Sequence, residues 1–284
     1  FVAVGSNGKI STSPDGSNWT GKTSGTTKDF QGVAYGNNTF VAVGNDGKIF
    51  TSDDNATTWT PRTSGVNKKL FGVTFLTDKF VAVGNTGTIL TSPDGTTWTA
   101  QTSGATTALQ GVTYGNNTYI AISDSGATTG SILTSPDGTT WTGQTSGTTA
   151  TLQGVTYGNN TFVTVGSAGI ILTSPDGTTW TDNSNPLYGP VLSGVTFSTD
   201  NFVAVGGGGT ILTSPDGTTW TAQTSGTTKT LQGATYGNSK FVAVGDSGTM
   251  LTSNDVTTTS SATVSTVSMS GTDNSTSNYY ERMT

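Results

Sequence analysis

The chain has no cysteine and no histidine. Without cysteine there are no disulfides and no thiolate metal sites, and cysteine usage says nothing of the redox compartment. Without either residue, Ser-His-Asp and Cys-His nucleophilic systems are impossible, and a tetrahedral zinc set is not expected. Charge is scarce too. Asp, Glu, Lys and Arg make up 10% of the 284 residues, against roughly 25% in an ordinary domain. Arginine occurs only at Arg62 and Arg282, and glutamate only at Glu281. The net charge of -6, with no basic run beyond Lys68 and Lys69, argues against nucleic acid, whose phosphates demand a basic face. No apolar run approaches the roughly 20 residues of a membrane-spanning helix, and no basic segment leads into an apolar one as in a signal peptide. The chain opens at Phe1, in mid-repeat and without methionine, which reads as a mature or excised piece of a longer precursor.

What the chain does have is repetition. TSPDGTTWT at 91–99 recurs unchanged at 134–142, 173–181 and 213–221. Phe-Val-Ala-Val-Gly or a close variant begins at Phe1, Phe40, Phe80, Tyr119, Phe162, Phe202 and Phe241, a mean period of 40 residues. Such a period marks a repeat architecture. Within one unit, LQGATY at 231–236 and FVAVG at 241–245 are short runs of β-forming residues joined by GNSK, whose Gly and Asn tolerate the positive φ of a tight hairpin. FVAVG is apolar at nearly every position, as suits a strand covered on both faces. Asp-Ser-Gly then turns the chain into a third strand, and Pro-Asp-Gly into a fourth. The pattern predicts an all-β fold: a seven-bladed β-propeller of four-stranded antiparallel blades, about 40 residues per repeat, its ring closed by N- and C-terminal strands. The propeller is assigned to residues 1–270 and a polar tail or linker to 271–284. Because the first unit lacks its innermost strand, segment 260–270 is expected to supply it.

All six tryptophans, Trp19, Trp59, Trp98, Trp141, Trp180 and Trp220, occupy one site of the repeat, shortly after Asp15, Asp54, Asp94, Asp137, Asp176 and Asp216. A structural role is expected for both residues, the ring packing under the turn and the carboxylate bonding turn amides. In these residues the chain resembles the Asp-box family, the bacterial neuraminidase repeat Ser-x-Asp-x-Gly-x-Thr-Trp, with one residue fewer between Asp and Gly. The resemblance covers 1–255 and implies a propeller in which the box turns the third strand into the fourth. It implies no single function, since sialidases, sortilin-type receptors, some glycosidases and photosystem assembly factors share it. A sialidase site, by that resemblance, needs an arginine triad, a tyrosine with its glutamate base and an aspartic acid; two arginines and one glutamate deny it. A glycosidase carboxylate pair should break the repeat symmetry, and no aspartate clearly does. The chain is therefore read as non-enzymatic, with no catalytic residue, no metal and no cofactor.

In blades of this kind, the first-to-second and third-to-fourth turns share one face, and the second-to-third turns and blade links share the other. The first set is nearly invariant, with GNNT at Gly36, Gly115 and Gly158. The second set holds the departures. SDSGATTGS at 123–131 lengthens one hairpin, and DNSNPLYGPVLS after Trp180 replaces the usual link. A ligand is expected there, with Tyr188 stacking and Asp124, Ser125, Thr128, Asn183 and Asn185 hydrogen-bonding. Sequons at Asn37, Asn116 and Asn159 would accept N-glycans, and with the low charge they point to export. The functional expectation is a non-catalytic extracellular propeller for recognition or assembly at a cell surface, as an adhesin or surface-filament component. Its expected partners are other protein chains or surface glycans, with self-assembly included. A multivalent glycan-binding lectin is the alternative, and a glycoside-hydrolase-like enzyme the more remote one.

Overall fold

The computed structural model describes residues 1–124, 129–188, 191–198, 200–253, 264–267 and 279–280. They form seven four-stranded antiparallel sheets, the blades of one propeller. Blade 2 is representative, with strands Phe30–Gly36, Thr39–Gly44, Ile49–Ser52 and Thr60–Arg62 from axis to rim. Asn37 and Asn38 take φ of 47° and 57°, the left-handed pair that a two-residue hairpin requires. Blades 3 to 6 occupy 70–101, 109–145, 152–182 and 192–223, and blade 7 occupies 231–253 with Val264–Val267. Blade 1 consists of Val2–Gly5, Ile10–Thr12, Thr20–Lys22 and Tyr279–Tyr280.

The core lies between blades rather than inside any one of them. In the second strand of blade 2, Val41 and Val43 pack with Leu70, Val73 and Phe80 of blade 3, while Ala42 packs with Val2 and Val4 of blade 1. All three are fully buried, which is why this strand is apolar without alternation. Small residues set how closely blades approach. A Cβ on Gly36 or Gly115 would sit 2.0 Å or 2.1 Å from the ring of Phe75 or Tyr157 in the following blade, so the Gly of GNNT gives that ring its seat.

The Asp-box turns fasten one blade to the one before it. In blade 3, Ser92 Oγ accepts the Gly95 amide at 2.9 Å and donates to Asp94 Oδ1 at 3.1 Å. Asp94 also accepts the Thr96 hydroxyl at 2.6 Å and the Thr96 and Thr97 amides at 2.8 and 3.1 Å. Trp98 Nε1 donates to Gly95 O at 2.8 Å. The Thr96 hydroxyl, then the Thr97 and Thr96 amides, hold the Asp94 carboxyl well below the usual range. Gly95, at φ +77°, presses on Val41 of blade 2: a Cβ there would lie 2.8 Å from Val41 Cγ2. Gly217 meets Val163 of blade 5 in the same way, and Gly16 of blade 1 meets Val242 of blade 7. At that last junction Thr252 Oγ1 donates to Gly16 O at 2.6 Å and Asn238 Nδ2 to Pro14 O at 3.0 Å, which joins the last blade to the first.

The strand that completes blade 1 differs from expectation. Val264–Val267, within 260–270, pairs with Met250–Ser253 as the outermost strand of blade 7, and the innermost place of blade 1 goes to Tyr279–Tyr280, paired with Val4 and Gly5. A chain leaving the third strand of blade 7 meets the open outer edge of its own sheet before it can return to the axis. Residues 254–263 and most of the 271–284 tail lie outside the described residues.

Candidate functional site

The axis of the ring holds a cavity of about 130 Å³, lined by the second residue of the first strand in blades 2 to 7. Four of these are glutamines: Gln31, Gln110, Gln153 and Gln232. Glycine follows each, because innermost strands crowd together there; a Cβ on Gly72 would lie 2.9 Å from Gln110 O. Three glutamines are aimed by the second turn of their own blade. Gln110 Nε2 donates to Asp124 at 3.0 Å, Gln232 Nε2 to Asp246 at 2.8 Å and Gln31 Nε2 to Asn45 at 3.5 Å. Those turns and the blade links share a face, called here the link face, so the amide ring forms the link-face mouth of the channel. Two positions break the ring, Phe71 in blade 3 and Ser193 in blade 6. Lys69 places Nζ 4.8 Å above the Phe71 ring, and burial pushes its ammonium below the ordinary lysine range.

The residues expected to hold a ligand are placed on the link face but are tied to separate internal partners. Asp124 is bonded to Gln110 at the channel mouth. Asn183 Nδ2 donates to Thr173 Oγ1 at 2.8 Å, the bond that Gln101, Gln144 and Gln223 make to Thr91, Thr134 and Thr213 in other blades. Asn185 Oδ1 accepts the Leu187 amide at 3.0 Å and so caps the short turn Pro186–Tyr188. Tyr188 packs on the cluster that contains Trp220 and donates its hydroxyl to Trp220 O at 3.0 Å. Ser125 and Thr128 lie outside the described residues. Among the described residues of this link, the large apolar side chain presented to solvent is Leu187, 88% exposed. Tyr188→Phe is expected to cost about 1 kcal/mol, read as a lower urea midpoint with unchanged slope; an unchanged midpoint would show that the hydroxyl bond does not hold the link.

On the opposite face, two of the three sequon asparagines, Asn116 and Asn159, act across blades. Asn116 Nδ2 donates to Pro175 O at 3.2 Å, and Asn159 Nδ2 to Pro215 O at 3.3 Å. The Asp-box tryptophans turn inward in the same manner in every described copy, Nε1 bonding the residue-16-type carbonyl of their own turn, as Trp19 does to Gly16 and Trp220 to Gly217. Among the described residues no group of three His, Cys, Asp or Glu side chains is placed to hold a metal ion. Sequence reasoning missed the glutamine ring. Its signal was the LQG repeat, read as strand-forming alone, although the polar second position of an otherwise apolar strand marks the channel side.

Fold and site together define an Asp-box β-propeller with an amide-lined channel and one variable face. The chain belongs to the family described as photosynthesis system II assembly factor YCF48, whose family model matches residues 2–252. Two similar solved structures are YCF48 bound to D1 peptide, with 19% identity over 88% of this chain and 87% of that one and a TM-score of 0.71, and YCF48 from Cyanidioschyzon merolae, with 20% identity over 88% and 89% and a TM-score of 0.69. The WD40 propeller domain of Doa1 matches at 15% identity over 84% and 83%, with a TM-score of 0.63. At these identities the structures show the fold. No curated protein sequence matches the chain. The family corrects two expectations. It is one of assembly factors, so the cell-surface adhesin and the lectin are both set aside, and with them the extracellular placement drawn from low charge and sequons. An assembly factor also accords with the non-enzymatic reading.

Proposed function

We propose that the protein is a non-catalytic assembly scaffold that holds a segment of another protein against its link face. The observation that carries this reading is the contrast between the two faces. One repeats the same turns and uses them to clamp blade to blade, whereas the other breaks symmetry at Phe71, Ser193 and the Leu187 link around an amide-lined mouth. Backbone amides and carbonyls of a bound segment suit a ring of carboxamides, and an exposed leucine offers an apolar contact beside it. A D1 peptide bound to a similar propeller supports the choice of a polypeptide. Titrating labelled D1 peptide into the protein, followed by fluorescence anisotropy, tests it. Saturable binding in the micromolar range, weakened about tenfold by Leu187→Asp (~1.4 kcal/mol), is expected. Absence of saturable binding to that peptide and to a tiled array of unrelated segments contradicts the reading.

A further inference from the structure

Charge is unevenly distributed around the ring. No lysine or arginine occurs between Phe80 and Thr228, which leaves blades 4 to 6 without a cation. The fold sorts the remaining cations by face. Lysines that follow a second turn, end a fourth strand or lie in a blade link all come to the link face, and there blades 1 and 2 build two adjoining troughs. The first, of about 640 Å³, is walled by Lys9, Lys22, Lys28 and Lys48. The second, also about 640 Å³, is walled by Lys48, Arg62 and Lys68, with Asp46 as its one carboxylate. Lys48 lines both, so the two lie side by side.

Two carboxylates lie in this arc, and one of them offsets the charge of Lys28, which leaves Lys22, Lys48, Arg62 and Lys68 to carry the excess positive charge. Asp46 holds Lys28 at 2.7 Å, and Asp29 accepts the Asn7 amide at 2.8 Å and Asn45 Nδ2 at 3.2 Å. The floors are Thr-Ser-Gly turns, in which Gly25 and Gly65 have positive φ and no atom near where a Cβ would stand. The lining holds no aromatic residue and one aliphatic side chain, Val66. Such a surface attracts anions but offers little to an apolar helix. It also has no platform on which bases could stack, the feature that single-stranded nucleic acid sites rely on.

We propose that the two troughs receive an acidic polypeptide segment, laid extended across blades 1 and 2 with its carboxylates between the lysines. This rests on the scaffold reading and names the chemistry of the partner. The expectation that no basic cluster exists was drawn from the linear sequence. In the ring, Lys9, Lys28 and Lys48 are neighbours although up to 39 positions separate them.

The test compares two labelled peptides of equal length, one rich in Asp and Glu and the other with Asn and Gln in their place. The acidic peptide is expected to bind at least tenfold tighter at low salt. That advantage should shrink as salt rises, and it should vanish in the triple variant Lys22→Gln, Lys48→Gln, Lys68→Gln. The variant should keep its thermal midpoint, and Lys79→Gln with Lys240→Gln on the other face should leave binding unchanged. Equal binding of the two peptides overturns the acidic-segment proposal while leaving the scaffold reading intact. Failure of both peptides overturns the acidic-segment proposal, and failure of the D1 peptide and of the tiled array as well overturns the scaffold reading too. Tighter binding of single-stranded DNA through the same three lysines overturns the choice of a polypeptide.

Discussion

Replacing Gly166 with alanine is expected to cost about 3 kcal/mol and to lower the thermal midpoint by about 8 °C. Gly166 ends the second strand of blade 5, and a Cβ there would stand 1.9 Å from Thr151 O and 3.0 Å from Leu152 Cα. Both obstacles are backbone at the start of the first strand of the same blade, so no rotamer change relieves the overlap. The same position recurs as Gly44, Gly84, Gly206 and Gly245, each within 2.0 to 2.2 Å of a backbone oxygen. The final glycine of FVAVG is therefore fixed by a close approach of two backbone segments, not by its own φ. Gly21, which has no atom within 4 Å and lies in an exposed outer strand, provides the contrast. Gly21→Ala should be neutral or stabilising by about 0.5 kcal/mol. Calorimetry of the two variants side by side checks the argument, and a Gly166→Ala midpoint equal to that of Gly21→Ala would refute it.

The second large effect is on acid stability. The chain has no histidine, so no side chain with an unperturbed pKa near neutrality is present to titrate between about pH 5 and pH 8. The Asp-box carboxylates titrate far lower. Amides of Asn18 and Ser17 hold Asp15 well below the usual range, and the Thr58 amide does so for Asp54. The Thr140 and Thr139 amides do the same for Asp137. Asp176 falls to about 2, mainly through the Thr179 and Thr178 amides. A depressed carboxylate pKa stabilises the folded state above the unfolded value of about 4, and that stability is lost as pH falls toward the folded value. The thermal midpoint is thus expected to be flat from about pH 5 to pH 8 and to drop steeply between about pH 4 and pH 2. The drop should be cooperative, because each box fastens one blade to the next. Asp94→Asn should make the drop shallower by one proton. A gradual decline beginning near neutrality, or an unchanged midpoint at about pH 2, would contradict the assignment of the boxes as inter-blade clamps.

Much of the fold was legible because the physical demands are local and repeated. GNNT specifies a hairpin through two left-handed residues, FVAVG specifies two-sided burial, and Ser-Pro-Asp-Gly closes its own hydrogen bonds within a few residues. The closing strand was not legible. Tyr279–Tyr280 lies in a polar segment too short to show a period, and 264–267 has the stronger β-forming composition, so the more obvious strand was given the more distant place. The glutamine ring was hidden because one polar position inside an apolar strand looks like ordinary alternation until the axis is known. The basic arc was hidden because its members are separated in the chain and gathered only by the ring. For the link loop, composition suggested Tyr188 as the exposed group, but the aromatic ring found packing beside Trp220 and Leu187 was left outside. Function was least legible of all, since the Asp-box is a folding device that leaves the link face free to differ from one propeller to another.

The central claim is that the link face, and not the clamped Asp-box face, is where a partner segment lies. Hydrogen exchange with and without bound D1 peptide tests it most directly, because slowed exchange maps to the backbone that the peptide covers. The account predicts protection in the second turns and blade links, from Asn45–Gly47 and 63–69 to the Leu187 link, with no change at the GNNT and Pro-Asp-Gly turns. Protection confined to those repeated turns would contradict it.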